Sequence, residues 1–186
     1  MKQIILGALL AFGSVLTAGT PTKAALFPEQ NGGMTKNILQ TKSGLTMFYR
    51  SDDEAAVLDW QTVPKSGARS SLLGYRLVKG SAAELAKKFS GSADYHRVFY
   101  TSKVKNERNR YIETGNMLVK LAPRTSVEDF VSSHQLKLLK VVDGRIGLYL
   151  IAPDSRGDII ARCNSLNALP EVESAGPEWI RPVLLR

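Results

Sequence analysis

The chain has 186 residues, a formal net charge of +8, 44% hydrophobic and 23% charged residues, and one cysteine. This length suits one medium domain or two small ones, and the composition excludes a wholly disordered chain. With a single cysteine, no disulfide can form within the chain. Because Cys163 lies on the apolar side of a predicted helix, a buried small side chain is favoured over a reactive thiol.

The first 24 residues have the pattern of a secretory signal peptide. Lys2 precedes an apolar run from Ile4 to Leu16, which is too short to span a bilayer comfortably. We expect cleavage after Ala24, with a site near Ala18 as the alternative. The protein is therefore predicted to be secreted or periplasmic, with no membrane span after cleavage.

The next part of the chain is predicted as a leader followed by a small β-rich unit. Residues 25–36 combine proline with a glycine pair and suggest a loose leader. Residues 37–113 contain several β-rich runs and one helix, which begins at Ser81 with Glu84 three residues later as a capping box. The basic cluster from Lys103 to Arg110 is interpreted as a solvated hairpin, with a patch for anionic polymers as the weaker alternative. The sequence suggests no function for this unit.

Residues 116–177 alternate strand and helix signals. A strand begins at Met117, and a helix starts at Thr125 with Glu128 three residues later. Two β-rich runs flank Asp143-Gly144, a second helix follows, and a last strand begins at Val172. The order β-α-β-β-α-β predicts an α+β protein with a ferredoxin-like domain, in which two helices cover one face of a four-stranded antiparallel sheet.

Catalytic and cofactor motifs are missing from the sequence. His96 and His134 stand outside any catalytic or metal-binding pattern, and there is no Gly-x-Ser-x-Gly, His-Glu-x-x-His or Cys-x-x-Cys motif. Both histidines are therefore interpreted as structural or solvated. We expect a protein that is not an enzyme and has neither a metal nor an organic cofactor.

Three segments carry a family resemblance: Met117-Leu-Val-Lys-Leu-Ala-Pro123, Leu136-Lys-Leu-Leu-Lys140 and Leu166-Asn-Ala-Leu-Pro-Glu-Val-Glu-Ser-Ala-Gly-Pro177. Together they resemble the propeptide of subtilisin-like serine proteases, over residues 116–186. The resemblance implies a domain that inhibits such a protease and helps it fold. In that family the sheet packs on two surface helices of the enzyme, and the tail lies in the active site as a retained cleavage product. We expect the protease here to be a separate chain.

Both faces of the predicted sheet contain apolar residues. Leu118 lies on the side of its strand opposite Met117, and Tyr149 and Ile151 lie on the side opposite Leu150. We predict that Leu118, Tyr149 and Ile151 share the second face. An apolar face needs a cover, so it contacts either the chain's own residues 37–112 or a protease.

The segment 178–186 is predicted to be an extended tail, because Pro177 and Pro182 prevent a helix. Its last residues could add a strand in a protease cleft, and these are Val183, Leu184, Leu185 and Arg186. The family's spacing would put Leu184 in the specificity pocket, but Pro182 then lacks a required N–H, so Arg186 is preferred. Glu178 matches an acidic position that caps the protease helices in the family. Gly176 stands where the family has a second acidic residue, so this chain lacks that contact. The alternative function is a cell-envelope adaptor without a protease.

Overall fold

The computed structural model describes residues 30–31, 33–58, 69–72, 74–89, 93–155 and 157–181. The strands in this part of the chain are β1 Gln30–Asn31, β2 Met34–Thr41, β3 Gly44–Leu58, β4 Arg69–Leu72, β5 Tyr75–Lys79, β6 His96–Tyr100, β7 Arg110–Leu121, β8 Leu136–Asp143, β9 Leu148–Pro153 and β10 Val172–Ile180. The helices are α1 Ala82–Lys88, α2 Val127–Ser133 and α3 Ile159–Asn167, and a short 3₁₀ turn spans Glu107–Asn109.

These strands form one antiparallel sheet of ten strands. Its main path runs β1-β2-β3-β6-β7-β9-β8, with β10 paired to β7 and the β4–β5 hairpin joined to β3 through β5. The long strand β7 pairs with β10 along one edge. On its other edge β7 pairs with β6 through Arg110–Ile112 and with β9 through Met117–Lys120. The sheet therefore forks at the middle of β7.

The predicted fold class is wrong. Residues 110–180 do contain strands and helices close to the predicted segments, but their strands belong to one sheet that continues through β6 into residues 30–100. A third helix, α1, is also part of the fold. The predicted junction near residues 113–115 lies inside β7. A separate ferredoxin-like domain with two helices is absent from the described residues because β6 pairs with the first residues of β7, which joins the strands of both halves into one sheet.

The main core lies between the sheet and helices α2 and α3. Alternation along β7 points Met117, Val119 and Leu121 to this side, where they meet Phe130 of α2 and Cys163 of α3. The prediction that Cys163 is a buried small side chain is confirmed, since it is fully buried. The helix start predicted at Thr125 lies one residue later, where the Ser126 hydroxyl accepts a hydrogen bond from the N–H of Asp129.

Two asparagines of α3 attach the N-terminal strands to the C-terminal part of the sheet. Asn164 accepts a hydrogen bond from the Gln40 N–H and donates to the Ile38 carbonyl, both at 2.7 Å. Asn167 donates to the carbonyls of Gln40 and Ala175, each at 2.8 Å, and accepts from the Ala175 N–H at 2.6 Å. These side chains take the place of a neighbouring strand for β2 and β10, so the two halves form one body.

Candidate functional site

The side of β7 that faces away from α2 and α3 is apolar at both ends but covered at one end only. At the first end, Ile112 is fully buried in a cluster with Met34 of β2 and Leu77 of β5. Six residues further along β7, Leu118 is 37% exposed and pairs with Leu150 of β9. We call the exposed part around Leu118 and Leu150, with Leu148 of the same strand, the open face.

Further large apolar side chains are exposed on β8 and in the turn before β9. Four large side chains there have between 43% and 52% of their surface exposed: Leu139, Val141, Val142 and Ile146. Monomeric proteins rarely expose such residues in a contiguous group, and larger apolar patches generally mark binding surfaces. Val141, however, pairs with Tyr149 and so lies on the side of α2 and α3, which means that these four residues do not form one continuation of the open face.

The structure separates the three residues predicted to share the second face. Ile151 pairs with Met117 and is fully buried in the main core, and Tyr149 packs against the same core from its position beside Val119. Leu118 alone of the three lies on the open face. The prediction of a surface containing Tyr149 and Ile151 is therefore corrected. Alternation defines the two sides of each strand, but the sides of two strands can be matched only once their register is known.

Glu178 lies at the border between the covered and open ends. Its carboxylate accepts hydrogen bonds from the Thr114 hydroxyl at 2.8 Å and from the Asn116 side-chain amide at 2.9 Å. Asn116 is two residues before Leu118 on β7, so the carboxylate and the open face are neighbours. Burial and the charge of Glu178 together raise the pKa of Tyr75, in the covering strand β5. Thr114 and Asn116 were not recognisable as partners of Glu178, because no sequence pattern relates positions 62 or 64 residues apart.

The predicted protease-binding tail lies outside the described residues. Val183, Leu184, Leu185 and Arg186 follow Arg181, which is exposed and ends the described chain after β10. The signal peptide and the first part of the leader are also outside the described residues. Met34 to Lys36, predicted as part of the leader, form the start of β2.

A second feature is a cleft of about 310 Å³ at the fork of the sheet, between β6 and β9. Glu113 of β7 lies at its base with 4% of its surface exposed, and its carboxylate is 3.8 Å from the Arg97 guanidinium. Burial raises the pKa of Glu113 to about 7, against the lowering effect of Arg97. Asp158, the N-cap of α3, raises it further, while a hydrogen bond from the Ile159 N–H lowers it.

Neither histidine lies in a catalytic arrangement in the described part of the chain. The His96 Nδ1 is 3.0 Å from the Glu113 carbonyl, and the His134 Nε2 is 3.3 Å from the Glu171 carboxylate. Burial raises the pKa of the Cys163 thiol, which keeps it protonated and unreactive. Among the described residues, no three histidine, cysteine or acidic side chains are grouped so as to hold a metal ion.

The basic cluster is only partly a solvated hairpin. It does connect two antiparallel strands, β6 and β7. Lys105, however, forms ion pairs with Asp53 and Glu54 in the irregular part of β3. Arg110 is buried and donates from its Nε to the Tyr100 hydroxyl. Two of the cluster's cations are therefore engaged within the fold, which leaves a weaker basic patch than the sequence indicates.

Comparison with known proteins yields no relative: no protein-family model, no curated protein and no solved structure matches this chain. Within the described residues, no helix is long and apolar enough to cross a membrane.

Proposed function

We propose that this protein binds a subtilisin-like serine protease in trans and inhibits it, with the open face on the enzyme and the C-terminal tail in the active-site cleft. The observation that carries the proposal is the exposure of the face around Leu118. Apolar residues on this side of the sheet need a cover, and the two candidates are the N-terminal half of the chain and a separate protein.

The way in which the two halves join favours a separate protein. The N-terminal strands extend the sheet edge to edge through β6, so they add width to it. Their cover of the second face, through Met34 and Leu77, reaches Ile112. It does not bury Leu118, which remains more than one-third exposed. The adaptor alternative, in which residues 37–112 cover this face, has less support.

Two further features agree with a protease partner. The Glu178 carboxylate is held beside the open face by Thr114 and Asn116, so its position is fixed before binding. Such a carboxylate could meet a helix N-terminus on the partner. The exposed Arg181 follows β10, and the residues after it include the predicted Val183–Arg186 contact. An arginine at the end of the tail calls for an acidic pocket in the enzyme.

The test is inhibition of a panel of subtilisin-like proteases, including arginine-preferring ones, by the mature protein. We expect tight inhibition that falls at least about tenfold in Leu118→Asp, since burying an unpaired carboxylate in an apolar contact is costly. A version lacking the last four residues should also lose inhibition, because it lacks the segment proposed to lie in the active-site cleft.

Leu45→Asp is the matched control, because Leu45 is a leucine of the β2–β3 hairpin with 64% of its surface exposed. It should leave inhibition unchanged. Equal inhibition by the Leu118→Asp and Leu45→Asp variants would reject the open face as the contact. No inhibition of any protease, or cleavage of the intact protein as an ordinary substrate, would reject the proposed function.

A further inference from the structure

The cleft at the fork of the sheet has the features of a ligand site that is separate from the open face. Over residues 113–116, the described strands leave one edge of β7 unpaired, because β6 ends its pairing at Ile112 and β9 begins at Met117. The opening is walled by Asp94 and Tyr95 before β6 and by Gly157 and Ile159 at the start of α3. Its volume of about 310 Å³ is at the small end of the range for small-molecule sites.

Glu113 has unused capacity to accept hydrogen bonds in this cleft. The Arg97 Nε stays 3.8 Å away, beyond the distance of a hydrogen bond. The Ile159 N–H supplies one backbone hydrogen bond. A carboxylate has about four acceptor positions, so Glu113 can accept further hydrogen bonds from a group that enters the cleft. A donor that enters the cleft would therefore gain more from Glu113 than it would from an exposed carboxylate.

The charged side chains around the cleft indicate whether a ligand there would be a cation or an anion. The described lining residues include the acids Asp94 and Glu113 and the base Arg97. Asp158 adds a further negative charge close to Glu113, and the more distant Arg50 adds a positive one. Acidic side chains therefore outnumber basic ones among the described residues near Glu113, in a protein whose overall charge is +8. This difference favours a cation within the cleft.

We propose that the cleft binds a small organic cation through its N–H groups, of the guanidinium or alkylammonium class, with the Glu113 carboxylate as the principal acceptor. Hard metal ions need six or more oxygen ligands, and the described residues contain no group of three candidate ligands. A guanidinium instead presents several N–H donors in one plane, which suits a carboxylate at the base of a narrow opening. The cation could be a free small molecule or the Arg186 side chain of this chain.

The test is an NMR titration of the full-length protein with methylguanidinium chloride and, separately, with methylammonium chloride. The backbone amides of Gly115 and Gly157 report on the two walls of the cleft. We expect saturable shifts at pH 8 with one or both cations and none with sodium acetate. Affinity should fall at least about tenfold at pH 5.5, where Glu113 is protonated.

Three variants identify the group that holds the cation and the cation that occupies the cleft. Glu113→Gln should reduce affinity at least about tenfold, whereas Glu173→Gln, a control at the exposed ion pair with Lys120, should not change it. Arg97→Gln should increase the affinity for the cation, since it removes a competing positive charge. If the cleft instead bound an anion through Arg97, the same variant would abolish binding. Tighter binding in Arg186→Gln would identify the tail as the natural occupant, and equal binding would identify a free molecule.

Three results would overturn the proposal. The first is acetate binding that is lost in Arg97→Gln. The second is the absence of saturable shifts in both the native chain and Arg186→Gln, and the third is shifts that persist unchanged in Glu113→Gln. Because none of these measurements involves a protease, the site and the proposed inhibition can fail independently.

Discussion

The two ends of β7 show how the same kind of strand surface acquires different roles. Ile112 and Leu118 lie on the same side of one strand, yet Ile112 is fully buried and Leu118 is 37% exposed. The difference arises from their neighbours: Met34 and Leu77 cover Ile112, while Leu118 lies beyond the reach of that cluster. An apolar residue on a strand is therefore a core residue or a contact residue according to what the rest of the chain places over it.

The sharpest test of this comparison is stability. Ile112→Ala should lower the free energy of unfolding by about 3 kcal/mol, because it leaves a cavity in a fully packed cluster. Leu118→Ala should lower it by less than about 1 kcal/mol, since the side chain is partly in water already. Urea denaturation of the two variants beside the native chain measures both. Similar losses at the two positions would show that Leu118 is covered in solution.

The pH dependence of stability tests the cleft that separates the two ends. The pKa of Glu113 rises from 4.5 in the unfolded chain to about 7 in the fold, because of burial. Between these values the native state holds a proton that the unfolded state has lost, so the contribution of Glu113 to stability is greatest below pH 4.5 and falls as pH rises to 7. The expected loss is about 3 kcal/mol.

Glu113→Gln should remove this contribution, which urea denaturation at pH 5 and pH 7.5 would reveal as a smaller difference between the two conditions. Glu173→Gln, at an exposed carboxylate, provides the matched control. A native chain whose Glu113 contribution grows with pH over this range would contradict the buried, proton-retaining carboxylate.

The attachment of the N-terminal strands should depend on Asn167 more than on Asn164. Asn167→Ala leaves a buried Ala175 N–H and two carbonyls without their partner, with an expected cost of about 2 kcal/mol. Asn164→Ala exposes its two backbone partners to water and should cost about 1 kcal/mol. Thermal unfolding and amide exchange at Gln40 measure the two effects. A larger loss at Asn164 would contradict the role assigned to Asn167.

The smallest effect concerns the border between the covered and open ends. Removing the charge in Glu178→Gln should lower the pKa of Tyr75, because the carboxylate contributes to its rise. The pKa of Tyr100, raised to about 12 by burial and by a hydrogen bond to Glu54, should stay where it is. Spectrophotometric titration of the tyrosines distinguishes the two. An unchanged pKa of Tyr75 in this variant would show that Glu178 lies farther from β5 than in the structure.

Much of the local structure was accessible from the residues alone. Ser81 and Glu84 predicted the capping box that begins α1, and the structure contains it. The alternation around Met117 correctly separated the core side of β7 from the side of Leu118. Such features depend on residues close together in the chain, where the periods of helix and strand act directly.

The residues of the candidate surface were harder to predict from the sequence, for a geometric reason. Assigning Tyr149 and Ile151 to the side of Leu118 required the register between β7 and β9, and a shift of one residue exchanges the two sides. The hydrogen bonds from Thr114 and Asn116 to Glu178 join distant parts of the chain. The burial of Glu113 follows from a fork between strands that no local pattern records.

By itself, the sequence determined the order of most strands and helices, which side of β7 enters the core, and that Cys163 is buried. The tertiary structure alone decided that both halves share one sheet, that Asn164 and Asn167 connect its distant strands, and that Glu113 lies at the base of a cleft. Local periodicity reflects each element's need to bury one side. Pairing between strands depends on backbone groups that are the same for every residue, so their partners are selected only when the whole chain packs.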